Sequence, residues 1–482
     1  MSLKHKIMSG VLWQGLERFG STGISFAIQI VLARLLAPRE FGIIAIMMVF
    51  ITLCNVFVDS GFSAALIQKK EISESDCSSV FFINVAVALA LYALFFAMAP
   101  FISVFFRTRE LTVYFRFLAL VPVIRSLSLV HAALLVRRML FQLSFKITWT
   151  SLVVSGATSL IMAWRGFGVW ALVAQQLTMA SVTTLMQWIL IKWYPHLIFE
   201  WSRIVSLFKF GWKLLVSAAL EALYNDIYSL IIGKITNLTE LSFYHRGKMI
   251  PQFGVGVINS TVGSVLFPAF SQLQDDRRKM KELAVRGIRN LMFFIIPALV
   301  LLFILAEPLV IVLLSRKWLP CAIYLRLSCV IFFYWPLHVI NLKIITACGR
   351  SDVFLWLEII KKTQLAILIF AVYRYGVLAL VVSEMVLGMV CFFENAWFNR
   401  RLIDYAPWQQ LADIMPMLCS AILSGAVSIG AVYYITSVWC KLIAGGTVFF
   451  VLYIVIMFII RQIPRDILNV LDKCKMSLVP NR

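Results

Sequence analysis

Acidic residues are scarce in this 482-residue chain: 23 Asp and Glu stand against 44 Lys and Arg, a formal net charge of +21. Charge of either sign is sparse too, at 14% of residues against 61% hydrophobic. A soluble domain is roughly 45–50% apolar, so this chain has too little polar surface to cover itself in water, and a soluble fold is excluded. No hydrophilic stretch is long enough to fold as a separate soluble domain. The nine cysteines and five histidines are scattered, with no C-x-x-C spacing, which speaks against a disulfide scaffold or a zinc site. There is no Walker phosphate loop, so ATP hydrolysis is not expected, and no aromatic-and-basic module for nucleic acid. No catalytic residues, metal ligands or resident cofactor are expected, and the chain does not read as an enzyme. A cleavable leader is not expected either: Lys4, His5 and Lys6 resemble a basic n-region, but the following segment carries Glu17 and Arg18 and continues to Ala33 as a retained span.

What the chain has in abundance is apolar runs of about 20 residues, each long enough to cross the roughly 30 Å core of a bilayer. Backbone groups in lipid must be satisfied within a helix or a closed barrel, and continuous runs without alternation argue against a barrel. The expected fold is all-α and polytopic, with about 14 transmembrane helices at roughly 9–35, 41–65, 77–105, 111–135, 145–164, 168–193, 208–234, 241–270, 287–314, 321–345, 353–372, 376–398, 414–436 and 439–461. Basic segments fall at alternate ends: Lys69-Lys70, Arg137-Arg138, 192–209, 275–289, Arg350, Arg400-Arg401 and the tail 461–482 share a side with the N-terminus. The positive-inside rule then makes both termini cytoplasmic and assigns much of the positive charge to topology and anionic lipid heads.

An internal repeat organises the spans. GVWALV at 168–173 recurs as GVLALV at 376–381, and APFISV at 99–104 matches EPLVIV at 307–312, both 208 residues apart. VLAR at 31–34 and IIGK at 231–234 correspond at a slightly smaller offset. Ordered matches at near-constant spacing indicate a repeat, and an offset of six spans makes the copies parallel, as in two-lobed transporters. The expected domains are an N-lobe at 1–200, a C-lobe at 201–403, and two additional spans with a basic tail at 404–482.

Ionisable residues inside spans are costly and so are functional candidates. The cations singled out are Arg18, Arg125, Arg246 and Lys248; the acids singled out are Asp59, Glu221 and Asp226, open to either ion coupling or ion pairing; Glu17, Lys213, His338, Lys343, Glu358 and Glu384 are further ionisable residues inside spans. The segment FYHRGKMIPQF at 243–253 gathers His245, Arg246 and Lys248 in an otherwise apolar chain. On a helix His245 and Lys248 share a face, whereas Arg246 points away from Lys248. Gly247 and Pro251 are expected to loosen the helix here. Arg246 suits bidentate phosphate binding, and Lys248 acts as a point charge.

Several segments together resemble the Wzx-type polysaccharide flippases, in the polysaccharide transporter family of the multidrug/oligosaccharidyl-lipid/polysaccharide exporter superfamily: LARLLAPREFG at 32–42, FVDSGFSAALIQKK at 57–70, FGWK at 210–213, VLFPAF at 265–270 followed by QLQDD at 272–276, and KWLP at 317–320. The resemblance implies two pseudo-symmetric six-helix lobes around a central cavity, plus two C-terminal helices. It also implies a transporter moving undecaprenyl-diphosphate-linked oligosaccharide units across the bacterial inner membrane, for exopolysaccharide, capsule or O-antigen assembly by alternating access. The implied partners are the polyprenyl-diphosphate-linked oligosaccharide, membrane lipids, a polysaccharide polymerase and export machinery, with no nucleic acid. Basic residues are common in the family at Arg18 and Arg246 and acidic ones at Asp226, while His245 and Lys248 depart from its pattern. A coupling proton or sodium ion stays open, as do two alternatives within the superfamily: a flippase for a peptidoglycan lipid precursor and a drug exporter. The latter would favour an acidic cavity, and a membrane-bound polymerase would need a large extramembrane loop that the chain lacks.

Overall fold

Proline and small polar residues punctuate the helices. Pro38 and Pro407 stand at first helical positions, where a missing N–H costs nothing. Glu40 and Gln409 reach back to the Ala37 and Ala406 amides, at 2.6 and 3.1 Å. Ser73 and Asp76 cap each other's amides reciprocally at 3.2 and 2.9 Å. Asp276 accepts the Lys279 amide at 3.0 Å and its ammonium at 2.9 Å, which holds its carboxyl below the usual range.

In the computed structural model, residues 3–464 are described, with backbone only at 3–16, 18, 257 and 260–265. The side chains of Lys4, His5, Lys6 and Arg18, and the whole of Cys474 and the basic tail beyond 464, lie outside the described residues. The helices are α1 (Leu3–Leu35), α2 (Pro38–Asp59), α3 (Phe62–Gln68), α4 (Glu74–Phe105), α5 (Leu111–Leu118), α6 (Leu120–Ser126), α7 (Leu129–Arg137), α8 (Phe141–Trp164), α9 (Val169–Ile191), α10 (Trp201–Ile235), α11 (Leu238–Gln272), α12 (Arg277–Ile304), α13 (Ala306–Leu314), α14 (Cys321–Ala347), α15 (Ser351–Val372), α16 (Val377–Ile403), α17 (Pro407–Val432) and α18 (Val438–Ile459). No strand occurs among the described residues. Ten helices are long and apolar enough to cross a membrane, or eleven when α5–α6 and α7 count as one span bent by 44°. Phe101, Phe370 and Phe458 are 70% exposed or more, on surfaces that only a hydrocarbon solvent would cover favourably. By internal contacts the chain divides into Met1–Ser242 and Phe243–Arg482.

Three expected continuous spans are broken: 287–314 is divided at Leu305 between α12 and α13, and the other two show what holds a break. The one at 41–65 stops at Ser60 and Gly61, both with positive φ, and Asp59 accepts the Ser63 amide at 3.2 Å to start α3. A side chain at Gly61 would strike the Gly211 backbone, so this bend seats α10 against α2 and α3. The other break, at Leu127-Ser128, is satisfied from α9: Thr184 donates to the Ile124 carbonyl at 3.1 Å and the Trp188 indole to that of Leu127 at 2.7 Å. Freed carbonyls in a membrane helix need such partners.

The repeat shows in the backbone. Positive φ occurs at Arg107 and Ser315, 208 residues apart, at Met139 and Gly349, 210 apart, and at Gly168 and Gly376, again 208 apart. Each glycine immediately precedes a helix, α9 or α16.

Some of the basic segments meet within each unit. Lys69 and Arg203 approach Asp76 at 2.7 and 3.9 Å, and Arg137 donates to the carbonyls of Leu66, Ile67, Lys69 and Lys70. In the second unit, Lys281 pairs with Asp404 at 3.6 Å.

Candidate functional site

The cation segment 243–253 lies in the second unit on α11, which runs unbroken through Gly247 and Pro251. The expected loosening does not interrupt the helix, and Gly247 serves a contact with another helix. A Cβ at Gly247 would stand 2.7 Å from the Leu325 amide nitrogen, so glycine here permits close backbone approach to α14.

The two cations diverge as the helical spacing requires. Arg246 is 7% exposed, with its guanidinium carbon 5.8 Å from the ring centre of fully buried Trp318 and Nη1 3.1 Å from the Met249 sulfur. Lys248 reaches α16, where Nζ lies 2.7 Å from Glu384 Oε1. Tyr244, one turn before Lys248, accepts from its ammonium at 3.0 Å and donates to Glu384 Oε2 at 2.9 Å. Lysine, tyrosine and glutamate thus close a ring of three hydrogen bonds. Tyr244 is buried, and its ring packs edge-on against Tyr324 of α14. The Lys248 and Glu384 side chains keep 22% and 16% exposure. A half-buried pair of this kind is neutral as a whole and presents a cation only when its acid is neutralised or displaced.

The remaining candidates are dispersed. Arg125 is exposed on α6, next to the break closed by α9. Asp59 is occupied at the α2–α3 bend, where it also accepts the Ser63 hydroxyl. On α10, Glu221 is exposed and Asp226 half-buried. Glu17, beside Arg18, accepts hydroxyl bonds from Ser144 and Thr148 of α8 at 3.1 and 2.7 Å.

A second polar group fastens the helices around the site. Asn341 of α14 donates to Gln410 of α17 at 2.9 Å and accepts from Asn399 of α16 at 2.6 Å. Asp413 of α17 takes Arg289 of α12 at 2.7 Å and the Tyr405 hydroxyl at 2.6 Å. In contrast, a cavity of ≈ 460 Å³ between α12, α14 and α17 is lined by Leu299, Phe303, Tyr334, Ile422 and other uncharged residues. It offers nothing to an anion.

Sequence reading missed Glu384 as the partner of Lys248, although Tyr244 and Lys248 stand four apart on one helical face. It also missed Trp318, within the quoted KWLP, as the surface under Arg246.

Comparison with known proteins follows the same lines. A protein of Rhizobium meliloti (strain 1021) named succinoglycan biosynthesis transport protein ExoT is 24% identical over 74% of this chain and 72% of its own length. Teichuronic acid biosynthesis protein TuaB of Bacillus subtilis (strain 168) is 23% identical over 89% of both chains. Lipopolysaccharide biosynthesis protein WzxC of Escherichia coli (strain K12) is 26% identical over 69% of this chain and 68% of its own. Among solved structures, the lipid II flippase MurJ in an inward closed conformation superposes with a TM-score of 0.74 at 16% identity, covering 95% of this chain and 100% of that one. An inward-facing multidrug resistance MATE family transporter of the MOP superfamily gives 0.60 at 16% identity, covering 79% of this chain and 95% of its own. The fold is thus shared with both. The family described as polysaccharide biosynthesis protein matches residues 31–323, well over half of the sequence, and the chain belongs to that family.

Proposed function

We propose that the chain is a flippase that carries a polyprenyl-diphosphate-linked oligosaccharide repeat unit from the cytoplasmic to the periplasmic leaflet of the bacterial inner membrane, for assembly of a surface polysaccharide. One observation carries the reading: a member of a polysaccharide biosynthesis family holds an arginine and a lysine, Arg246 and Lys248, inside a membrane-length helix. A diphosphate and its sugars cannot cross hydrocarbon unaided, whereas a polyprenyl tail can stay in lipid. Cations within the protein replace the water that the diphosphate leaves behind. The relatives named for succinoglycan, teichuronic acid and lipopolysaccharide biosynthesis support the substrate class.

In this reading the chain spans the membrane fourteen times with both termini cytoplasmic. Residues 1–200 and 201–403 form the two lobes, and α17 and α18 are additions to them. The lobes expose the site to one face of the membrane and then the other. Arg18, Arg125, Arg246 and Lys248 serve the diphosphate, and Asp59, Glu221 and Asp226 are candidates for binding a coupling proton or sodium ion.

Complementation of a strain that lacks its own transporter for the same repeat unit tests the reading. Arg246→Ala should lose most polysaccharide export, and Arg246→Lys should restore only part of it, because the bidentate fork is gone. An Arg246→Ala protein that inserts normally and supports wild-type polysaccharide at native expression overturns the assignment of Arg246.

A further inference from the structure

The apolar cavity between α12, α14 and α17 carries no charge on its walls, but a charged pair stands at one end of it. Arg326 lies one helical turn before Val330 of the lining. Its Nε donates to the carbonyl of Phe303, also of the lining, at 3.3 Å, and its Nη2 to Oε1 of Glu307 at 2.9 Å. The two side chains are 33% and 54% exposed. Exposed charges are costly in hydrocarbon, so the pair marks the headgroup level on this side. Among the described residues, Arg326 Nη1 and Glu307 Oε2 form no further hydrogen bond.

The cavity has the dimensions of one lipid chain. From Leu418 to Ile429 its α17 wall rises about 16 Å, close to half of the roughly 30 Å hydrocarbon core. Its volume of ≈ 460 Å³ is three times the ~150 Å³ that accommodates benzene in an apolar core. Phe303, Ile422 and Ile429 are 42%, 56% and 49% exposed, so the cleft opens on the surface of the unit. A polyprenyl tail is longer than one leaflet is deep, whereas the acyl chain of a phospholipid matches that depth.

Part of this arrangement is repeated in the first unit and part is not. There Arg116 Nε donates to the Phe96 carbonyl at 3.4 Å, the carbonyl that Pro100, four residues on, leaves without its amide. Arg326 does the same for Phe303 at the end of α12. The acid is not repeated, since Ala99 stands at the position that matches Glu307. Nor is the third wall, for α17 has no counterpart in the sequence repeat. The second unit thus adds an anion and a cleft to an arginine that holds a helix end in both.

We propose that this cleft binds a phospholipid with a phosphoethanolamine head. One acyl chain fills the cavity, a phosphate oxygen accepts from Arg326 Nη1, and the ammonium donates to Glu307 Oε2. Cavity, arginine and glutamate follow one another as chain, phosphate and amine do in the lipid. A neutral ion pair fits a head that is neutral overall. An anionic head would leave Glu307 without a cation of its own, and a choline head has no N–H to donate. The bound lipid joins α17 to α12 and α14 across a gap that side chains leave open. The site stands whatever the chain transports; only its place in the outer leaflet rests on the proposed topology.

The full-length protein, delipidated in detergent, is titrated with dioleoyl phosphatidylethanolamine, and native mass spectrometry counts the lipid bound. Dioleoyl phosphatidylcholine, dioleoyl phosphatidylglycerol and dioleoylglycerol serve as comparisons with the same chains. The wild type should bind the ethanolamine lipid about fivefold more tightly than the choline or glycerol lipid. Its margin over dioleoylglycerol, which has no phosphate, should be about tenfold. Glu307→Gln should lose most of the preference for ethanolamine over choline while still favouring both over dioleoylglycerol. Arg326→Ala should bind the ethanolamine lipid about tenfold more weakly. Ala426→Phe, which fills the cavity from α17 with an apolar side chain, should weaken all four. Because Arg326→Ala also frees the Phe303 carbonyl, Glu307→Gln and Ala426→Phe decide the matter if that variant does not fold. Equal affinity for dioleoylglycerol and the ethanolamine lipid overturns the proposal. So does a preference for the anionic lipid, or undiminished binding in Ala426→Phe. None of these measurements involves polysaccharide export, so the flippase reading stands or falls separately.

Discussion

Buried polar side chains have different partners in the two units. In Met1–Ser242 the bonds at bends and helix ends run to the backbone: Ser126, Ser151 and Thr184 donate to helix carbonyls, His131 bonds to the Trp193 carbonyl, and half-buried Arg137 gathers four carbonyls at the end of α3, beside the pair of Lys69 with buried Asp76. In Phe243–Arg482 side chains also link helices to one another, through Lys248–Glu384–Tyr244, Asn341–Gln410, Asn399–Asn341 and Arg289–Asp413–Tyr405, beside backbone bonds such as that of Tyr453 to the Phe293 carbonyl. Yet three positive-φ positions of the first unit recur in the second about 208 residues later. Those turns are what the two units share, and the polar contacts around them differ. In the first unit Arg137 holds a helix end through its carbonyls; in the second Lys248 is held by a carboxylate of another helix.

Removing one partner from each arrangement tests that contrast. The largest effect should come from Glu384→Ala, which leaves Lys248 without its counter-charge and costs about 3 kcal/mol of stability, as for other broken buried pairs. Thermal unfolding in detergent measures it, and a loss under about 1 kcal/mol would mean that the second unit's interior is no more ionic in effect than the first's. Arg137→Ala should cost less, about 2 kcal/mol, because the carbonyls it leaves lie at a helix end that water can reach. Export per inserted molecule should be unchanged, since Arg137 mends a path and meets no substrate. A loss larger than that of Glu384→Ala would reverse the comparison.

The smallest effects concern the shared path. Gly168 and Gly376 both take backbone angles that side chains rarely adopt, and alanine at either should cost about 1–2 kcal/mol. Gly168→Ala should cost more, because its Cβ would also meet the Glu40 carboxylate that caps α2, whereas nothing lies within 4 Å at Gly376. Equal losses would show that the Glu40 cap contributes little.

Much of the path was legible in the residues, because prolines, glycines and caps act locally. Pro38, Ser73, Asp276 and Gly376 mark helix starts wherever the rest of the chain goes. The bend at Leu127-Ser128 was not, since what permits it is Thr184 and Trp188 on α9, about 60 residues later. Neither was positive φ at Arg107, Met139 or Ser315, whose residue types do not announce it. At the site, Arg246 and Lys248 stood out as charges in an apolar run. The state of Lys248 was hidden, because Glu384 lies 136 residues away and only the packing of α16 brings it near.

Gly247 has a consequence for measurement. With no side chain at that position, α11 packs directly on the backbone of Tyr324 and Leu325, closer than any other residue would allow. The cation-bearing turn and the start of α14 are therefore backbone neighbours. Ile323, next to Tyr324 and 45% exposed, is a place for a fluorescent or spin label that would report the displacement of Lys248 during turnover without perturbing its charge.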